Sequence, residues 1–234
     1  MSDGSGSGDL AAILTLAEWR RTIATLYADV RRLAVDDPAA ALEHWRTVRE
    51  DLFRHHPRSP VLAADRAAFR ARHFDHDPGL RFEVAVEPIE IVAPRPPAPA
   101  GSIDFGSDPA VGLPVSGGGT MTFERFGSVT VPFVEGPRRL ELFWMEGYAG
   151  GLFLPFRDAT NRVETYGAGR YLLDGAKSAD LGGNPGTDGS GATLILDFNF
   201  AFQPSCAFDP QYACPLSPPS NRLGLAIRAG ERLM

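Results

Sequence analysis

The stretch Pro78-Gly-Leu-Arg-Phe-Glu-Val-Ala-Val-Glu-Pro88 divides the sequence into two regimes. Within it Leu80, Phe82, Val84 and Val86 alternate with Arg81, Glu83, Ala85 and Glu87, the two-residue period of a strand with one buried face. Upstream, apolar residues recur at three and four residues instead. Leu10, Ile13, Leu14, Trp19, Ile23, Leu26, Tyr27, Val30 and Leu33 predict an amphipathic helix capped by Asp9 and ending near Leu33. Asp37 and Pro38 place a capping carboxylate and then a residue of fixed φ ahead of Leu42, Trp45, Val48 and Leu52, which predicts a second helix. Ser59-Pro60 repeats that start signal before Leu62, Ala63, Arg66 and Phe69 and predicts a third.

Downstream, strand candidates at 120–126, 128–134, 139–144, 152–156, 170–173, 192–200 and 223–227 are short, and most are separated by turns bearing Gly, Pro, Asn or Asp. No helical pattern intervenes between them. This arrangement predicts an α+β fold of N-terminal helices followed by a mainly antiparallel β barrel or sandwich. The expected organisation is a tail at 1–8, a helical region at 9–78 and a β-rich domain at 79–234. A proline-rich loop at 93–101 is too stiff and too poor in N–H groups to join a ladder. Residues 180–191, rich in Gly, Asn, Asp and Ser, read as a mobile loop.

With 234 residues, 44% hydrophobic and 22% charged, the chain is large enough to bury a core without disulfide or metal staples. A net charge of −6 supplies no attraction for nucleic acid or an anionic membrane. No apolar run reaches the roughly 18–20 residues of a membrane helix, and residues 1–8 lack the basic-then-apolar pattern of a secretory leader. The expectation is a cytoplasmic protein with a small-molecule partner, homo-oligomerisation being left open. Cys206 and Cys214 form a C-x7-C pair that fits neither a zinc ribbon nor a thioredoxin motif. No Lys or His adjoins them, so slow-reacting reduced thiols are expected.

All five histidines, His44, His55, His56, His73 and His76, precede the strands, so the β portion cannot build an imidazole metal site by itself. His73-Phe-Asp-His-Asp77 is compact enough to gather a cation but reads first as a solvated helix end. Gly117-Gly-Gly119 and Gly147-Tyr-Ala-Gly-Gly151 lack the Lys-Ser/Thr pair and following helix of a phosphate loop, and read as turns. No metal is assigned, and no cofactor is required by the residues.

The densest chemistry lies in Arg157-Asp-Ala-Thr-Asn-Arg-Val-Glu-Thr-Tyr-Gly-Ala-Gly-Arg-Tyr171. Arg157 and Arg170 could grip a carboxylate or phosphate, and Asp158 or Glu164 could move a proton if burial tuned its pKa. Tyr166 or Tyr171 could orient a ligand beside Thr160 and Asn161. The same residues also suit a turn with an Arg170–Glu164 ion pair. Asp197 and Asn199, on a regular strand, would share the face opposite Phe198 and Phe200 and point to a cavity or a polar network.

Several blocks carry a resemblance: Leu154-Pro-Phe-Arg-Asp-Ala-Thr-Asn161, Glu164-Thr-Tyr-Gly-Ala-Gly-Arg-Tyr-Leu172, Asp197-Phe-Asn199, Cys206-Ala-Phe, Cys214-Pro-Leu, Asn221-Arg-Leu and Ala229-Gly-Glu231. Together they resemble the bacterial and archaeal domain of unknown function (DUF) 1684 family, over most of the chain from the second helix onward. Arg162 departs from a pattern that favours glycine, and Ser220 from one that favours an acidic residue. The resemblance implies one shared architecture for the arginine, carboxylate, tyrosine and cysteine positions, and no assigned reaction.

Three functional expectations follow. The first is a pocket in the β portion for an anionic or carbonyl-containing ligand, with metal-independent acid/base catalysis. Asp158, Glu164 and Tyr166 would be catalytic there, and Arg157, Thr160, Asn161, Arg170, Tyr171, Asp197 and Asn199 would bind. The second is a non-catalytic structural or protein-interaction module. The third is a split barrel with a flavin phosphate on Arg157 and Arg170.

Overall fold

The computed structural model describes residues 5–89, 110–146 and 150–233. Two helices, α1 (Ser5–Leu33) and α2 (Pro38–His55), precede seven strands. These are β1 (Arg81–Pro88), β2 (Ala110–Pro114), β3 (Thr120–Val131), β4 (Arg138–Met145), β5 (Leu152–Phe156), β6 (Arg170–Asp174) and β7 (Thr193–Asp197). All strand pairs are antiparallel, in the order β6-β5-β4-β3-β1-β7, with β2 on the first half of β3. The α+β fold predicted from the sequence is the fold observed, its sheet curled into a half-barrel.

The curl has local causes. β3 shifts register between Arg125 and Gly127, and β5 between Leu154 and Pro155, and each bulge adds twist. Pro155 has no N–H to give a ladder, so a bulge suits it. At Gly127 a Cβ would stand 2.8 Å from the Glu87 carbonyl, so only glycine lets β1 approach β3 there. The curl brings β6 against the chain beyond β7, where Tyr171 and Phe202 exchange two backbone hydrogen bonds of 2.9 and 3.0 Å.

Alternate strand residues feed two cores. Phe123, Phe143, Phe153 and Tyr171 join Phe200 and Phe202 in packing against α1 and α2. Val129, Leu140, Leu142, Leu154, Phe156 and Leu172 pack on the opposite side. Each fully buried aromatic or large aliphatic side chain contributes roughly 1.5–3 kcal/mol, so these two faces dominate stability. Asp37 caps α2 by accepting from the Ala40 amide at 2.9 Å, with Pro38 in the first turn. α1 starts before Asp9, so residues 5–8 of the expected tail are helical, and its first turns carry the exposed Leu10, Ile13 and Leu14.

The predicted third helix is replaced by successive turns over residues 60–69. Ser59 donates its hydroxyl to the Phe53 carbonyl and accepts from the Val61 amide, while the Arg66 guanidinium takes the Val61 and Ser59 carbonyls. A side chain thus occupies acceptors that helical amides would need. The strand predicted through Phe200 stops at Asp197, whose carboxylate accepts from the Asn199 amide and turns the chain into a single 3-10 turn. Over 223–227 burial alternates as a strand's would, yet the segment belongs to no ladder. β2 was not expected, because Gly112 and Pro114 mask the short alternation of Val111 and Leu113. The proline-rich loop at 93–101 and the Gly147 turn's first three residues lie outside the described residues.

Candidate functional site

The residues expected to form a pocket in the β portion instead form a buried clamp. Asp158 Oδ2 accepts from Arg170 Nη2 at 3.0 Å and from the Ile227 amide at 2.8 Å, and its Oδ1 accepts from the Thr160 hydroxyl at 2.7 Å. Arg170, with 0% of its surface exposed, also donates to the carbonyls of Ile227, Ala229 and Glu231. Two side chains therefore supply what a neighbouring strand would, which is why 223–227 is extended without a ladder.

The rest of that cluster is equally committed. Asn161 accepts from the Asp158 amide and donates to the Thr165 hydroxyl and the Tyr166 carbonyl, while the Thr160 carbonyl accepts from the amides of residues 163, 164 and 165. Glu164 sits at the surface against Arg228 rather than Arg170, and that hydrogen bond holds its carboxyl below the usual range. Arg157 donates to the Ala168 carbonyl at 3.2 Å. Asp197 is taken up by Arg81 and Asn199, and the Asn199 amide exchanges two hydrogen bonds with the Asp77 backbone in place of a ladder pair. Arg170 and Asp158 are thus unavailable to a flavin phosphate or to a substrate proton. Of the ten expected residues only Tyr171 lines the cavity that the described residues enclose between helices and sheet.

That cavity, of about 320 Å³, lies between the helices and the concave face of the sheet. α2 presents Trp45, Arg49 and Phe53 at four-residue spacing, so all three share the inward face. α1 contributes Trp19, Ile23 and Tyr27, and the sheet side contributes Phe153, Tyr171 and Phe202. Phe153 and Tyr171 meet edge to face at 4.9 Å, and Trp19 stacks on Phe53 at 5.9 Å.

Polar groups punctuate this apolar wall. Arg49 donates Nε and Nη2 to the two oxygens of buried Glu231, at 2.5 and 3.1 Å, and stacks 4.2 Å over Phe53. Its Nη1 has no hydrogen-bond partner among the described residues. Burial alone would raise the Glu231 carboxyl, but the Arg49 charge and hydrogen bonds outweigh it and hold it below the ordinary range. Tyr27 accepts from Trp45 Nε1 at 3.1 Å, which leaves its own hydroxyl proton undirected, and burial pushes its phenol up, so it is a neutral donor. Gln203 Oε1 is buried without a partner. Lys177 is neutralised by Asp174 at 3.0 Å and lies over the Tyr171 and Phe202 rings. At the mouth the exposed Arg20 and Arg58 guanidiniums pair with no carboxylate among the described residues.

The chemistry of this arrangement is that of an apolar wall with a few placed polar groups. It offers donors, one orphan acceptor and aromatic faces, with no nucleophile hydrogen-bonded to a base inside it. Sequence reading missed the cavity because half its wall is helical, where Trp45, Phe53 and Ile23 look like ordinary core. One signal was present, an arginine at position 49 in step with the apolar stripe of α2. Elsewhere, the described residues contain no group of three or more His, Cys, Asp or Glu placed to hold a metal ion, and no helix long and apolar enough to cross a membrane.

No curated protein matches the sequence. Among solved structures, an uncharacterized protein of Haloarcula marismortui determined by solution NMR is similar, with 27% sequence identity and a TM-score of 0.55. The likeness covers 83% of this chain and 93% of that one. A family model described as a protein of unknown function (DUF1684) matches residues 71–232, which contain the whole Asp158–Arg170 clamp and the segment it grips; the chain belongs to that family.

Proposed function

We propose that the protein binds a small, mainly apolar carboxylic acid in the cavity between its helices and its sheet. The observation that carries this reading is the pairing of an aromatic interior with unsatisfied donors: Arg49 Nη1 and the Tyr27 hydroxyl inside, Arg20 and Arg58 at the mouth. The volume of about 320 Å³ stands at the small end of ligand pockets, which suits a medium-chain or bicyclic aromatic acid rather than a dinucleotide or flavin. A body of that kind would lie against Phe53, Phe153 and Phe202. Its carboxylate would meet guanidiniums, which bind carboxylates through paired N–H groups.

Trp19 and Trp45 line the cavity, so their fluorescence reports occupancy directly. Titration with decanoate and 2-naphthoate is expected to give saturable quenching, with the uncharged decanol and 2-naphthol binding about 10-fold more weakly, a difference near 1.4 kcal/mol. The Arg20→Gln/Arg58→Gln double variant should narrow that discrimination. Absence of saturable change with all four probes would overturn the binding reading, and equal affinity for acids and alcohols would overturn the carboxylate.

A further inference from the structure

Cys206 and Cys214 are brought together by different parts of the fold. Cys214 is fixed beside the β2–β3 hairpin, its amide donating to the Ser116 hydroxyl at 2.9 Å and its carbonyl accepting from the Ser116 amide at 2.9 Å. Cys206 sits in a short 3-10 turn after Pro204, and its amide donates to the Cys214 sulfur at 3.3 Å. Both thiols are free, 7% and 6% exposed, and Cys214 forms part of the cavity wall. Sequence neighbours offered nothing to activate them, but the fold sets the Cys206 amide against the Cys214 sulfur.

We propose that Cys206 and Cys214 are a redox-active dithiol that reduces a small hydroperoxide and closes to a disulfide. In the first step the Cys206 sulfur attacks the distal peroxide oxygen. The O–O bond breaks, the alcohol or water leaves with the thiol proton, and Cys206 becomes a sulfenic acid. In the second step the Cys214 sulfur attacks the Cys206 sulfur, the S–O bond breaks, and water leaves with the Cys214 proton. The two thiols supply the two electrons that the peroxide gains.

The roles follow from the surroundings. Cys214 beside it draws the Cys206 thiol down against the cost of burial, whereas hydrogen bonding to Cys206 and burial push Cys214 up. Cys206 is therefore the attacking sulfur and Cys214 the resolving one. Tyr166, itself pushed up to about 12 by burial, remains a neutral donor toward Cys206.

The test treats the fully reduced chain with hydrogen peroxide at neutral pH, then counts thiols after denaturation and maps the non-reduced peptides. The expected product has lost two hydrogens and joins the peptides of Cys206 and Cys214. Cys214→Ser should stop at a sulfenic acid on Cys206 that a cyclic dione traps. Cys206→Ser should leave Cys214 reacting at least about 10-fold more slowly than Cys206 does. Circular dichroism identifies folded variants, and the wild-type product map stands whether or not either serine variant folds. Two intact thiols in the native protein under peroxide that oxidises the unfolded chain would overturn the proposal. Sulfinic or sulfonic acid without a bridge would do the same.

Discussion

Two buried arginine–carboxylate pairs hold this molecule together, and they differ in one respect. Arg170 donates through both terminal nitrogens to Asp158 and to three carbonyls of the 227–231 segment, leaving neither for a visitor. Arg49 faces Glu231 with Nε and Nη2 but leaves Nη1 among aromatic rings at a cavity. The same chemistry therefore serves two ends. Saturated at its terminal nitrogens, with only its Nε buried unpartnered, it replaces a missing strand; unsaturated there, it is the donor on which the proposed binding rests. Motif density along the sequence tracks the first and is silent about the second.

The strongest way to break this comparison is to cut the saturated pair. Arg170→Met strands Asp158 without its cation, which costs about 3–5 kcal/mol for a buried pair, and it also frees three buried carbonyls. Chemical denaturation should record a loss of that size, while the folded fraction keeps its affinity for decanoate. A loss below about 1 kcal/mol would show that the clamp is not what secures residues 227–231.

A second test uses His73, which packs edge-on to Trp45 on the outer side of the cavity. Burial lowers its pKa from 6.5 to about 4. Between those values the unfolded chain binds a proton that the folded one refuses, so stability is complete above about pH 6.5 and falls as pH drops toward 4. The loss should reach about 3 kcal/mol at most. His73→Phe should flatten this limb and leave only the decline at lower pH, where Glu231 takes up its proton. Unfolding free energies of both proteins across pH 4–7 check the shape.

A smaller effect sharpens the unsaturated side. Tyr27→Phe removes the undirected hydroxyl and leaves Trp45 Nε1 without its acceptor, at about 1–2 kcal/mol of stability. Affinity for decanoate should fall up to about 10-fold, and affinity for decanol should move less. Equal losses for the two probes would make Tyr27 a packing residue only.

The smallest effect concerns the loop of the clamp. Arg162 has φ +69°, in the left-handed region, and its side chain is exposed. Glycine takes this backbone conformation without strain, so Arg162→Gly should raise stability by about 1 kcal/mol in thermal melts. No change would mean that the exposed guanidinium recovers what the backbone loses.

Much of the fold was legible because period and capping are local. Leu80 to Val86 announced the first strand, and Asp37-Pro38 announced the second helix. The third helix failed because Ser59 and Arg66 use side chains on backbone acceptors, a contest that apolar spacing cannot record. The cavity went unread for a related reason. Asp158, Asn161 and Arg170 are conspicuous in sequence because they are polar among apolar residues, yet Asp158 and Arg170 are consumed by the distant 227–231 segment and Asn161 by its own loop. The residues that enclose the cavity are mostly aromatic, so only the topology that brings α2 over β5 and β6 marks them out.

Glu231 closes on Arg49 across 182 residues of sequence, and Arg170 holds the carbonyl of that same residue. During synthesis the helices leave the ribosome early, yet their inward arginine has no carboxylate to meet until this segment has emerged. Docking of the helices onto the sheet is therefore a late event in the life of the nascent chain. Such long-range closure is slow, on the order of milliseconds to seconds. Meanwhile Trp19, Trp45 and Phe53 on α1 and α2 lack the sheet they pack against, so the unfinished chain carries an uncovered aromatic surface.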